Sequence, residues 1–566
     1  MKKVKLFSFA LAALMLGACS SEDVIDNGGQ TVLPGEKGYI SLSINLPTTT
    51  GTRVTYDDGT PDEYAVKNAK LLIFAGSSET DAICQGIYDL NVGTFSTDGN
   101  NTDQITSTAR IVQEITKPNS ENLYALVVLN DNGLVTNDMI NKSFSSLYTT
   151  SKTLEASDLS DNGFFMTNAP LYSVAGGTNK PENGKVTTLS TIDASKVYTT
   201  EAAAEESPAT TVYVERALSK VTLTGSTNLP EGHNANITGY SINGWTLDNT
   251  NTSTYLVRNV APTTPWWTYQ NGDKGYRFVD GNPVKSGVSL YRTHFGIDPN
   301  YNTTYNAGDY NSVVNNPSAL TDADGETPEY CLENTFDVAN MRETFTTRVV
   351  IAAKLNVNGA DAESGDFYVL NNNTNVIYNE DGVLDAVKSL WMNYLETIKS
   401  TYIASGTIEP KDVTVTLKDV ENGGIASVAS IEIDPSGEIT YQQGQSLETL
   451  KDAAKAYVES INDDNRLTIS YYKGGVAYYT ALIKHFGDSE TPWDGTVGYN
   501  SDENDYLGRY GVLRNTWYQL TVTGLKNIGS PEVPAVTTDF DDPGTQYISV
   551  DINILPWAKR TQNVDL

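Results

Sequence analysis

The sequence predicts a mainly β protein built as two consecutive β-sandwich domains, the second larger and carrying helical insertions. Period-2 alternation and continuous apolar runs recur along the 566 residues, with turn-rich polar stretches such as STDGNNTD between them. Tyr is abundant, at 33 residues, and so are Thr and Asn, a composition that favours strands joined by long polar turns. Helical spacing is confined to two segments of the second half.

Taken in order, residues 1–18 read as an export signal. Lys2, Lys3 and Lys5 make a positive head, and Leu6 to Leu16 is an apolar run too short to span a bilayer. It ends in Leu16-Gly17-Ala18-Cys19, which resembles a bacterial lipobox, in which the cysteine becomes the lipidated N-terminus. The following SSED resembles the acidic surface-export tag of Bacteroidales lipoproteins, and no later segment is apolar enough to cross a membrane.

Residues 20–38 are a polar, Gly-rich tether, and 39–46 form the first strand. Residues 48–63 (TTTGTRVTYDDGTPDE) lack a strand pattern and hold a lone Arg53, the kind of polar tip where proteases cut. NAKLLIFAG (68–76) and LYALVVLN (123–130) read as strands buried on both faces. The first block closes around TVYVERALSKVTLTG (211–225), with a boundary near Arg216.

The second block contains strand patterns at 241–249, 346–357, 414–420, 466–483 and 515–525. Gly474-Gly475 between two of them predicts a hairpin turn. Leu384, Val387, Trp391, Leu395 and Ile398 predict a helix over 383–400. Leu450, Ala454, Tyr457 and Ile461 predict a second over 446–461, with Ser446 as N-cap. Both are expected to cover one side or end of a sandwich. Residues 529–546, with Pro531, Pro534 and Pro543, read as a linker isolating the last strand. The domains expected are a signal at 1–18, a removable segment at 19–53, sandwiches at 54–216 and 217–546, and a terminal strand at 547–566.

The formal net charge of −32 would repel a phosphate backbone, so nucleic acid is not an expected partner. It keeps a free chain soluble, and it makes copies repel at long range. His233, His294 and His485 are isolated in sequence, and a lone His is more often a surface or core residue than a catalyst. No HExxH, GxSxG, P-loop or GxGxxG pattern stands in its required context, so no enzyme, cofactor or metal is expected. Asp322-Ala323-Asp324-Gly325 has a calcium-loop look but lacks the later ligands, so a turn is the better reading. Cys84 and Cys331 lie far apart and read as buried thiols rather than a disulfide. Trp266, Trp267 and Tyr269 are read as a structural contact rather than a sugar platform.

The two ends of the chain carry nearly the same pattern: ISLSINLP at 40–47 and ISVDINILP at 548–556. Ile40, Leu42, Ile44 and Leu46 alternate in one, and Ile548, Val550, Ile552 and Ile554 in the other. Two strands with one pattern can fill one kind of groove. A cut after Arg53 would leave the first strand held by non-covalent contacts alone, and its departure would open a groove that recruits another strand. Pro556 would end the new ladder and Trp557 would plug its end. Repeated head to tail, this contact does not close and builds a filament.

The chain resembles the type V pilus fimbrillins of the Bacteroidales, looking most like major subunits of short (minor) fimbriae. The resemblance rests on Leu16–Cys19, the early strand followed by Arg53, VERALSKVTL (214–223), VLRNTWYQLTV (512–522) and the ending ISVDINILPW…VDL. It implies two transthyretin-like β-sandwich domains. It implies export as an outer-membrane lipoprotein acylated (palmitate-bearing) at Cys19, and cleavage by an Arg-specific protease between Arg53 and Val54. It further implies strand exchange with other copies or related fimbrillins, giving an extracellular fimbrium that supports adhesion and biofilm formation. The residues alone leave a second reading open, a monomeric surface lipoprotein that binds glycan or a host protein.

Overall fold

The computed structural model of the chain describes residues 32–46, 60–91, 96–97, 107–172, 186–260, 278–285, 289–313, 319–463, 466–487, 490–493, 506–542 and 548–556. The described chain is mainly β. The first half is a sheet whose strands lie in the order Ile83–Leu90, Ala69–Ala75, Leu123–Leu129, Met166–Asn168, Thr210–Arg216, Lys37–Asn45, Ser107–Thr116 and Ser96–Thr97. Strand Thr210–Arg216 joins its two portions. Thr210–Tyr213 run parallel to Leu42–Asn45, whereas Val214–Arg216 pair antiparallel with Met166–Asn168. Both portions contribute to one apolar core. The runs at Ala69–Ala75 and Leu123–Leu129 are largely apolar because both faces are covered, with Lys70 the exception, paired to Asp89 at 2.7 Å; Phe74, for example, meets Phe144 of the short helix Phe144–Thr149 edge-on.

Strand Leu218–Thr224 starts a new sheet, in the order Glu329–Leu332, Leu218–Thr224, Thr516–Leu525, Ile548–Pro556. A second sheet of Ile237–Asp248, Arg348–Val357 and Val476–Leu482 shares its core, which includes Trp245, Ile351, Tyr479 and Tyr518.

Three expectations need correction. The Gly474-Gly475 turn is present, with φ of 60° and 77°, but it does not close a hairpin. Ile469–Tyr472 pairs with Phe367–Leu370 and Gly424–Ala426, while Val476–Leu482 pairs with Arg348–Val357. The chain changes sheet there, and a Cβ on Gly475 would stand 2.6 Å from the Leu355 carbonyl oxygen.

The two helices are present, as Glu380–Tyr402 and Leu447–Asp463. Asn379 caps the first by accepting from Gly382 N at 2.9 Å, and Ser446 Oγ accepts from Thr449 N at 3.3 Å at the start of the second. They do not merely cover a sandwich. Their apolar stripes (Val383, Val387, Trp391, Leu395; Leu450, Ala454, Val458, Ile461) form a separate core with the hairpin Val413–Leu417/Val428–Ile433. They make an inserted unit between Phe367–Leu370 and Ile469–Tyr472, strands that also give Phe367, Val369 and Tyr472 to the sandwich core.

Residues 529–542 of the segment expected as an isolating linker are held along the second half, and 543–546 lie outside the described residues. Tyr478 and Ser530 exchange backbone hydrogen bonds, Arg348 donates to the Pro534 carbonyl at 2.6 Å, and Arg342 donates to that of Thr538 at 2.7 Å. Thr346 Oγ1 donates to buried Asp541 at 2.8 Å, and Arg509 pairs with Asp542 at 2.7 Å. Composition signalled a loop, but the partners that tie it down lie far off in the chain.

Candidate strand-exchange site

The strand Lys37–Asn45 lies between two neighbours. On one side it is antiparallel to Ser107–Thr116, from Lys37 opposite Thr116 to Asn45 opposite Thr108. On the other, Leu42–Asn45 run parallel to Thr210–Tyr213, and Tyr39 exchanges backbone hydrogen bonds of 2.7 and 2.9 Å with Tyr198. Ile40, Leu42 and Ile44 are fully buried and Leu46 nearly so, because the alternation turns all four to the core. Their burial contributes about 1.5–3 kcal/mol each, roughly 6–12 kcal/mol together. Ser41 points to the opposite face and is also fully buried, where the short helix Glu201–Glu205 packs on this strand. At the strand's exposed start, Glu114 accepts from Lys37 Nζ at 2.6 Å and Tyr39 OH at 3.2 Å. The Lys37 contact leads in holding the Glu114 carboxyl below its ordinary pKa.

The terminal strand Ile548–Pro556 occupies a different position. It is antiparallel to Thr516–Leu525 at the edge of its sheet, with Ile548 opposite Leu525, Val550 opposite Val522, Ile552 opposite Leu520 and Ile554 opposite Tyr518. Those four partners are buried. Ile548 is buried with them, but Val550 and Ile552 are only partly covered. The same alternation thus lies in a two-sided slot at one end of the chain and on a one-sided edge at the other.

Just beyond residues 47–59 the chain is pinned. Glu63, in the short helix Pro61–Tyr64, pairs with Lys220 Nζ at 2.7 Å and accepts from Tyr330 OH at 2.5 Å. Arg216 Nε donates to the Glu63 carbonyl at 2.9 Å. Burial first, then the Glu63 carboxylate, raises the Tyr330 phenol above its ordinary pKa. Downstream, Asn130 bridges Lys67 N (2.7 Å) and the Ala65 carbonyl (2.8 Å).

A second buried network ties the strand flanking the slot to the other half. Arg258 pairs with Glu215 at 2.8 Å and with Glu333 at 2.9 Å, and Arg514 pairs with Glu333 at 3.0 Å. Glu215 belongs to Thr210–Arg216, the strand parallel to Leu42–Asn45. Sequence reasoning missed Glu63, Lys220, Glu215, Arg258, Glu333 and Arg514. Charged residues distant in sequence leave no local signal, except that Lys220 and Glu215 stand inside strand patterns where a solvated charge is out of place.

The remaining residues singled out in the sequence have structural surroundings. His485 Nδ1 lies 2.8 Å from Tyr518 OH in the core, and His233 Nδ1 lies 2.9 Å from the Pro230 carbonyl. The His294 and His485 rings, isolated in sequence, come within 6.5 Å. Asp324 closes a turn by accepting from Glu326 N and Thr327 N at 2.8 and 2.7 Å. Cys84 and Cys331 are buried free thiols. Cys19, Arg53, Val54, Trp557, Trp266, Trp267 and Tyr269 lie outside the described residues. Among the described residues no helix is long and apolar enough to cross a membrane.

Residues 470–563 match the family model described as "Major fimbrial subunit protein type IV, Fimbrillin, C-terminal". The matched stretch holds both the terminal strand and the strand that carries it. The chain resembles the Bacteroidales fimbrillins. No curated protein sequence matches this fimbrillin-like chain. Among solved structures, a fimbrilin (fimA) from Porphyromonas gingivalis W83 aligns at 14% identity and a TM-score of 0.36, over 92% of this chain and 99% of that one. A candidate cell adhesion protein from Parabacteroides distasonis ATCC 8503 aligns at 11% identity and a TM-score of 0.38, over 93% of this chain and 99% of that one. Another, from Bacteroides eggerthii DSM 20697, aligns at 12% identity and a TM-score of 0.35, over 94% and 100%.

Proposed function

We propose that this chain is a structural subunit of a surface pilus and that it polymerises by exchanging its terminal strand. It is exported as a lipoprotein through Cys19, cut between Arg53 and Val54 by an Arg-specific protease, and built from two transthyretin-like sandwiches. The observation that carries this reading is the two-sided slot around Lys37–Asn45. Loss of that strand leaves the facing edges of Ser107–Thr116 and Thr210–Tyr213 unpaired over an apolar floor, and such an edge recruits a strand.

The direction of exchange follows from burial. Among the described residues of its own subunit the terminal strand pairs with Thr516–Leu525 alone and leaves Val550 and Ile552 partly in water. In the slot, Ile40, Leu42 and Ile44 are removed from water completely, and the strand pairs on both sides. Moving the tail from edge to slot therefore gains apolar burial and hydrogen bonds, and it proceeds once proteolysis has emptied the slot. The contact is heterologous and does not close, so it propagates as a filament that supports adhesion and biofilm formation.

The test is a chain truncated before Tyr547 and treated with an Arg-specific protease. The full-length protein is expected to give ladders of multimers, and the truncated form to stay monomeric while still folded. Long polymers from the truncated form alone would defeat the reading.

A further inference from the structure

Resting on that reading, we infer that the tail of one copy enters the slot of the next in a single register, with Ile548 in place of Ile40, Asp551 opposite Arg110 and Tyr547 reaching Glu114. In this register YISLSIN at 39–45 and YISVDIN at 547–553 coincide, with Tyr, Ile, Ser, Ile and Asn identical in place. With the tail running as the strand it replaces does, parallel to Thr210–Tyr213 and antiparallel to Ser107–Thr116, the slot rejects the other registers.

A shift by one residue turns every apolar side chain away from the core. Shifts by two keep the apolar face inward but fail elsewhere. With Val550 in place of Ile40, Asp551 takes the position of Ser41, which is fully buried. An unpaired carboxylate there is prohibitive. With Ile548 in place of Leu42, Gln546 takes the position of Ile40, also fully buried and in the apolar core. A buried amide without partners is costly there too. Only the unshifted register puts Ser549 where a serine already fits and Asp551 where the position is half-exposed, at Ser43.

At that position the slot offers a complementary charge. Ser43 faces Arg110, whose side chain is exposed. The resident serine brings no charge to Arg110, and Asp551 brings a carboxylate. At the other end Tyr39 OH donates to Glu114 at 3.2 Å, and Tyr547 brings the same hydroxyl. The incoming strand is thus distinguished from the one it replaces by a cross-strand ion pair, and the partner it fits is a second copy of this chain.

Two singly substituted full-length chains, Arg110→Cys and Asp551→Cys, are mixed, cleaved with an Arg-specific protease and oxidised mildly. A covalent dimer is expected on a non-reducing gel. Mixtures of Arg110→Cys with Ser549→Cys or Asn553→Cys should give at least about tenfold less, since diagonal positions lie roughly 7–8 Å away, beyond disulfide reach. As a second measurement, Asp551→Arg should slow polymerisation by roughly two- to fivefold, and a recipient carrying Arg110→Asp should restore the rate. A dimer from position 549 or 553 in place of 551, or no rescue by the charge swap together with no dimer at 551, overturns the register while polymers that still require the tail leave strand exchange standing. Polymers that form without the tail overturn strand exchange itself.

Discussion

Lys220 Nζ lies 2.7 Å from Glu63 Oε1, and both side chains are almost wholly out of water. This pair joins the chain just downstream of Arg53 to a strand of the second half, and Lys220 also stands 4.1 Å from the centre of the Trp517 ring. Leaving one charge of such a pair alone in the interior costs about 3–5 kcal/mol. Glu63→Gln is therefore expected to lower the urea midpoint by that order, and Glu63→Gln with Lys220→Met to recover much of it. A single variant as stable as the parent would show that the pair does not pin this segment.

Arg53→Ala is expected to preserve folding and stop maturation. Immunoblots should show precursor accumulating and no multimers. Normal pili from this variant would place the cut at another bond.

Burial pushes the Asp298 carboxyl up to about 7, against the opposing hydrogen bonds from Thr335 N (2.5 Å), Asn300 N (2.6 Å) and Asn251 Nδ2 (2.8 Å). The folded value lies above the unfolded one, so the native state holds an extra proton between about pH 4 and pH 7. Stability from this group is full at the acid end of that window and is lost as pH rises through about 7. The loss is on the order of 2–4 kcal/mol. Urea titrations at pH 5 and pH 8 should show Asp298→Asn lacking that part of the slope; equal slopes in parent and variant would contradict it.

Trp391 is fully buried in the inserted unit's own core. Trp391→Ala should cost that unit about 3–5 kcal/mol. Hydrogen exchange is expected to speed up across 383–395 and 413–433 while Thr516–Leu525 keeps its protection. Loss of protection in both places together would mean the unit does not open separately.

Burial pushes the Cys84 thiol up to about 11 and the Cys331 thiol up to about 12. Both should react with a thiol reagent only after denaturant is added, because the thiolate is the reactive form. Rapid labelling of the folded protein at neutral pH would show that one of them is open to solvent.

The strands were legible where the pattern was local. Ala69–Ala75, Leu123–Leu129, Arg348–Val357 and Thr516–Leu525 follow from apolar runs or alternation, and both helices from a 3.6-residue stripe. The Gly474-Gly475 turn was legible as a turn but not as a change of sheet, since two glycines with positive φ serve either purpose. The inserted unit was not legible, because a helical stripe says which face is buried and not against what. Nor was the docking of 529–542, whose partners Arg342, Arg348 and Arg509 lie far off in the chain.

By itself the sequence determined that Ile40–Leu46 and Ile548–Ile554 each present one apolar face, because side-chain direction in a strand alternates whatever the neighbours are. Tertiary structure decided that the first lies between two strands and the last against one. Pairing edges and buried ion pairs such as Glu63–Lys220 join residues widely separated in the chain, and that choice is settled only when the sheets close over a shared core.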